Sequence, residues 1–175
     1  MAPVKTERII QALIGVCLAL LVWAIAATYH ENVVVVGDTA PSFTLTADSG
    51  RTVSRGSFGG KLLVLNFWAT WCPPCLDELP SLNQFQKTFA DSGVVVLGVS
   101  VDQNARAYQA FLQRVNPAFL TARDPEARLS SQYGTFQYPE TYIIDRDGKV
   151  VEKVIGPTNW TDPGMIERVK ALLAS

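Results

Sequence analysis

The chain has 175 residues, 48% of them hydrophobic, and a formal net charge of −1. So balanced a charge leaves no electrostatic footprint for nucleic acid, and the supply of aromatic and β-branched residues excludes wholesale disorder. Three cysteines, at 17, 72 and 75, are too few for a disulfide-stapled mini-protein of this length, so the close pair reads as redox-active or metal-binding.

Ile9 to Tyr29 is a run of about 21 mostly apolar residues, interrupted only by Gln11 and Thr28. As a helix it spans about 31 Å, matching the hydrocarbon core of a bilayer. Lys5 and Arg8 precede it with only Glu7 against them, so residues 1–8 are expected in the cytoplasm and the rest of the chain outside it. Trp23 and Tyr29 lie toward the exit end, Tyr29 at the depth of an interfacial anchor. Ala24-Ile25-Ala26 offers a cleavage site for a signal peptide, but such signals have shorter apolar cores, and the run length favours an uncleaved anchor over 9–29. Val16 is not the small residue that a lipoprotein signal places before its cysteine, and Cys17 reads as a small apolar membrane residue.

Residues 30–36, starting at His30, form a tether to a domain at 37–175. The Phe43/Leu45 alternation predicts a short strand, Asp48-Ser49-Gly50 a turn, and Thr52-Val53 a strand pairing back as a hairpin. Leu62 to Trp68, apolar except for Asn66, is the strongest candidate for a buried central strand. From Pro73 to about Ala90 the spacing is helical, with Leu76, Leu79, Leu82, Phe85 and Phe89 as one stripe. Pro73 suits the first turn, and Pro80 is expected to kink the helix. A strand follows at 94–101, then an amphipathic helix at 105–115 carrying Tyr108, Phe111, Leu112 and Val115. A short strand at 119–121 and a short helix at 126–133 come next. Thr141 to Ile144 and Lys149 to Ile155 are strands joined by the turn Asp145-Arg146-Asp147-Gly148, and a helix over 162–173 closes the chain. This order implies an α/β fold, a mixed central sheet flanked by helices, with a hairpin in front and a strand–helix insertion in the middle.

Cys72-Pro73-Pro74-Cys75 follows a buried strand and opens a helix. Free N–H groups and the helix dipole at that end stabilise a thiolate. Cys72 is therefore expected as the attacking sulfur and Cys75, one turn in, as the resolving one, the two close enough to form a disulfide. Neither Pro73 nor Pro74 has an N–H, so Cys72 loses donors, its thiolate is less favoured, and the dithiol becomes the better reductant. Against this stand an inert structural disulfide and half of a zinc site. Zinc needs four ligands, and outside the apolar run the chain offers only these two cysteines and His30.

Val64-Leu65-Asn66-Phe67-Trp68-Ala69-Thr70-Trp71-Cys72-Pro73-Pro74-Cys75 resembles the active site of the thioredoxin superfamily. Trp71 to Pro80, the stretch from Gly37 to Leu45 and Tyr138-Pro139-Glu140-Thr141-Tyr142-Ile143-Ile144-Asp145 are similar to its TlpA/ResA/CcmG (DsbE) branch of membrane-anchored thiol–disulfide oxidoreductases, a resemblance covering roughly 37–173. It implies a thioredoxin-like fold, a cis peptide before Pro139 beside the cysteines, and docking of substrate backbone there. Trp71, Pro73, Pro74, Tyr138, Pro139 and Glu140 then become candidate substrate contacts, with a solvated Glu140 as the bland alternative. Trp68 reads equally well as core. Glu78, three residues after Cys75, shares its helix face and stands where this branch places its acid, whereas Asn66 occupies the position of the buried acid of cytosolic thioredoxins. Glu78 is expected to act as acid/base toward Cys75, a solvated helix carboxylate being the plainer reading.

The resemblance further implies no cofactor and a place at the bacterial cytoplasmic membrane with the redox domain in the periplasm. It implies disulfide-containing exported proteins as clients, apocytochrome c among them in cytochrome c maturation, and electrons from a membrane thiol carrier of the DsbD/CcdA type. A peroxiredoxin shares the Gly-x-x-Ala-Pro-x-Phe-x-Leu opening but needs a lone peroxidatic cysteine in a Pro-x-x-x-Thr-x-x-Cys context, absent here. A copper chaperone of the Sco type would want a distal histidine, and the one histidine is His30.

Overall fold

The structure is a computed structural model and describes residues 3–28 and 33–174, so Tyr29 and His30 lie outside the described residues. The chain divides into two compact units, residues 1–32 and 33–175. In the first, α1 (Pro3–Thr28) is long and apolar enough to cross a membrane, with a mean hydropathy of 1.8 over Glu7–Ala24. Every side chain from 7 to 24 is exposed. A helix of that length and apolar composition suits the hydrocarbon interior of a bilayer.

The second unit is built around β3 (Leu62–Trp68), buried at all seven positions. It pairs in parallel with β4 (Val94–Ser100), and β4 in parallel with β5 (Leu120–Arg123). On its other side β3 pairs antiparallel with β6 (Glu140–Ile144), which pairs antiparallel with β7 (Val150–Ile155), giving the order β5-β4-β3-β6-β7. Two crossovers link the parallel strands, α2 (Pro73–Thr88) and α3 (Ala105–Val115). Because β3, β4 and β5 step in one direction, right-handed crossovers put both helices on the same face. The last helix, α5 (Pro163–Ala174), joins that face through Met165 and Val169. The opposite face is covered by the hairpin of β1 (Thr44–Thr46) and β2 (Thr52–Ser54) and by α4 (Arg128–Gln132).

Several boundaries differ from the sequence reading for local reasons. The short helix begins at Arg128 rather than 126 because Ala127 adopts a left-handed φ of 52°, and Asp124 Oδ2 accepts the Leu129 N–H at 2.7 Å. The buried stripe of α2 runs through Cys75, Glu78, Leu79, Leu82 and Phe85, with Leu76 only half-buried, so the inward face takes in a carboxylate. The same helix continues unbroken through Pro80, which sits on its exposed side.

Alternation along β3 sends Leu62, Val64 and Trp68 toward α2 and Leu63, Leu65 and Phe67 to the other face. On the α2 face of β4, Gly98 makes room for a large neighbour. A Cβ there would stand 2.8 Å from the Phe119 ring and 3.1 Å from Trp68 Nε1. Gly98→Ala is therefore expected to cost about 1–3 kcal/mol through overpacking. Urea unfolding of the full chain checks this, and parent-like stability would contradict it.

Candidate active site

The strand β3 delivers the chain to a tight turn, Ala69 to Cys72, closed by the Cys72 N–H donating to the Ala69 carbonyl at 3.3 Å. Cys72 is the N-cap residue of α2, and Pro73 and Pro74 fill the first helical positions, where a missing N–H removes no helical bond. Cys72 and Cys75 are joined as a disulfide with their Cα atoms 5.3 Å apart. The Cys75 N–H donates to Cys72 Sγ at 3.3 Å. Both cysteines are buried, Cys75 the deeper, while Trp71 before them is 63% exposed.

One turn beyond Cys75, Glu78 points inward rather than into solvent and is 4% exposed. Its Oε1 accepts from Asn66 Nδ2 at 2.8 Å. Its Oε2 accepts from the Thr158 N–H at 3.1 Å and from Trp160 Nε1 at 3.4 Å. Asn66 Nδ2 also donates to Thr141 Oγ1 at 2.9 Å, tying β3, α2, β6 and the loop before α5 into one buried polar cluster. The solvated-carboxylate reading of Glu78 is thereby overturned. Burial drives its carboxyl above the ordinary value of 4.5, and the hydrogen bonds from Thr158, Asn66 and Trp160 pull partly back. A cleft of about 350 Å³ lined by Asp77, Glu78, Pro80, Ser81 and Thr158 opens beside it. Thr141, Thr158 and Trp160 escaped the sequence reading; they share no spacing with the cysteines and reach Asn66 and Glu78 through long-range packing alone.

The peptide between Tyr138 and Pro139 is cis. The Tyr138 carbonyl oxygen lies 3.5 Å from Cys72 Sγ, and its ring stands edge-on to that of Trp71, centroids 6.1 Å apart. Trp71, Pro73 and Pro74 flank Cys72 in the chain, and the Tyr138–Pro139 peptide lies beside its sulfur. The side chain of Glu140 does not. It is fully buried, accepting from Tyr142 Oη at 2.6 Å and pairing with Lys153 Nζ at 2.8 Å. The alternation of β6 explains the correction. Thr141 faces Asn66 and α2, so Glu140 must face the other side of the sheet, neither solvated nor toward a substrate. Trp68 belongs to the core, packed against Tyr108 and Phe111.

The raised Glu78 carboxyl has a consequence for stability. The folded chain keeps a proton there that the unfolded chain releases above about pH 4.5, so folding weakens as pH rises through that window. Glu78→Gln lacks this titration. Its melting temperature relative to the parent is expected to climb between about pH 4 and about pH 7, read from paired thermal melts. A constant difference would contradict the buried placement.

Residues 36–153 match the model of the AhpC/TSA family. Among curated relatives, the thiol-disulfide oxidoreductase ResA of Geobacillus thermodenitrificans is 33% identical over 158 residues, covering 87% of this chain and 90% of the relative. ResA of Bacillus cereus is 34% identical over 121 residues, 69% of this chain and 70% of the relative. Among solved structures, a DsbE-type thiol:disulfide interchange protein from Chlorobium tepidum superposes with a TM-score of 0.74 at 31% identity, over 80% of this chain and 99% of that one. With its Cys72–Cys75 disulfide at the start of α2 on a thioredoxin-like sheet, the chain belongs to the AhpC/TSA family and, within it, to the thiol–disulfide oxidoreductases related to ResA.

Proposed function

We propose that the chain is a membrane-anchored reductant of disulfides in exported proteins, with the haem-site disulfide of apocytochrome c as its favoured client. The observation that carries the direction of electron flow is the poverty of donors at Cys72. Its sulfur sits at a helix N-cap, where up to three amides would ordinarily face it, yet Pro73 and Pro74 bring none and the Cys75 N–H is the donor that reaches it. A less stabilised thiolate favours the disulfide form, so the dithiol gives up its electrons more readily.

In the reducing direction the Cys72 thiolate attacks one sulfur of the client disulfide. That S–S bond breaks, and the other client sulfur leaves as a thiolate and takes up a proton. Cys75 passes its proton to the Glu78 carboxylate and attacks Cys72 Sγ, expelling the second client thiolate and forming the Cys72–Cys75 disulfide. Two electrons pass to the client. A membrane thiol carrier of the DsbD/CcdA type restores the dithiol, and the proton on Glu78 leaves through the cleft beside Asp77. The Tyr138 carbonyl, next to Cys72 Sγ, is placed to pair with client backbone. The apolar helix α1 holds the domain at the membrane, with residues 37–175 on the extracytoplasmic side.

Two measurements test this. Exchanging Pro74 for His restores an N–H to the first turn and is expected to raise the reduction potential, by about 30 mV for each ~1.4 kcal/mol of added thiolate stabilisation. Equilibration with glutathione reads the shift; an unchanged or lower potential contradicts the reductant assignment. Cys75→Ser leaves the mixed disulfide unresolved and should accumulate client–protein adducts through Cys72. Adducts with apocytochrome c support the favoured client, whereas adducts with many unrelated exported proteins replace it with a general reductase.

A further inference from the structure

Asp102 lies just beyond the end of β4 and is 3% exposed, and among the described residues no Lys or Arg pairs with its carboxylate. Its oxygens are held by neutral donors. Oδ1 accepts the Thr70 hydroxyl at 2.6 Å. Oδ2 accepts the Thr70 backbone N–H at 2.8 Å and the Ser100 hydroxyl at 2.6 Å. A buried carboxylate without a cation is costly to desolvate, and an apolar residue would fill the space at less expense. What the carboxylate does that an apolar residue cannot is grip Thr70 at two points, backbone and side chain.

Thr70 is a central residue of the Ala69–Cys72 turn. The turn hangs from the end of β3, where the Val101 N–H donates to the Trp68 carbonyl and brings the end of β4 alongside. The next residue, Trp71, is largely exposed, and Cys72 follows at the helix cap. Thr70 is thus the fastening between the rigid sheet and the two residues that meet a client. We propose that Asp102 is a positioning residue for thiol–disulfide exchange: through its hold on Thr70 it fixes the turn that carries Trp71 and Cys72, and so sets where Cys72 Sγ stands against the Tyr138 carbonyl. Its action is on exchange itself, whichever client is served, and it rests on Cys72 as the attacking sulfur.

The test uses the full chain in detergent micelles, reduced beforehand, and a synthetic peptide closed by one disulfide as the probe. Asp102→Ala is expected to lower the second-order rate of peptide reduction by about tenfold or more, since a small misplacement of reacting atoms is worth that much. Asp102→Asn should restore most of the rate: its amide oxygen accepts from the Thr70 N–H and Ser100, and its amide nitrogen donates to a reoriented Thr70 hydroxyl. Thr70→Val should slow exchange severalfold and Thr70→Ser should not. Tyr108→Phe, which removes a part-buried bond from α3 to Asp48, is the control for lost stability and should keep the parent rate. A parent-like rate in Asp102→Ala overturns the proposal, as does failure of Asp102→Asn to recover it. Should Asp102→Ala not fold, Thr70→Val decides, and an unchanged rate there overturns it. Cys72→Ser must abolish exchange in every background; if it does not, the reading of Cys72 fails and the proposal built on it falls too, whereas a parent-like Asp102→Ala with an inactive Cys72→Ser overturns the role of Asp102 alone.

Discussion

Everything in the redox domain follows from β3 being buried on both faces. A strand with protein above and below has its side chains divided by strict alternation, and no residue can be moved to the other face without slipping the register of the sheet. That alternation aims Asn66 at α2, and it lets the strand end where Ala69, Thr70 and Trp71 turn the chain directly into the helix. The cysteines are therefore placed by the sheet's most constrained element. Their position at a helix start is what the strand's carboxyl end and a right-handed crossover jointly require.

The second constraint is the carboxylate beneath the cysteines. Burying an acid is costly unless its oxygens are hydrogen-bonded, and Glu78 draws its partners from β3 and the loop before α5, with Thr141 of β6 held through Asn66. The cluster reaches every layer on that face. It also holds the Thr158–Trp160 loop against α2, helped by the Ser81 hydroxyl, which accepts from the Trp160 N–H at 3.1 Å. Removing one member would leave others unpaired, so these residues stand or fall together.

The elements with one strong local signal were legible in the sequence. The apolar run at 62–68, the apolar segment before residue 30 and the Asp-Arg-Asp-Gly turn each encode their structure within a few residues, and the structure places strand, helix and hairpin there. At the site, the cysteine pair, the two prolines and the face shared by Cys75 and Glu78 were legible for the same reason. What escaped is whatever long-range packing decides. Glu140 looked available because it neighbours Pro139, and its bonds to Tyr142 and the half-buried Lys153 show where the face of β6 sends it. Trp160 sat in a loop with no pattern of its own, and Asp102 looked like an ordinary residue at a strand end.

Asn66 and Glu78 together explain how one buried position can be served by a different element. The sheet position that carries the acid in cytosolic thioredoxins here carries an amide, and the amide donates to an acid supplied by the helix. The acid stays in the same part of the core but is now covalently tied to the element that bears Cys75. Glu78 and Cys75 then share one helical turn, which fixes the acid relative to the Cys75 sulfur. Carrying the acid on α2 holds it at a fixed offset from Cys75, and the amide on β3 ties that pair to the sheet.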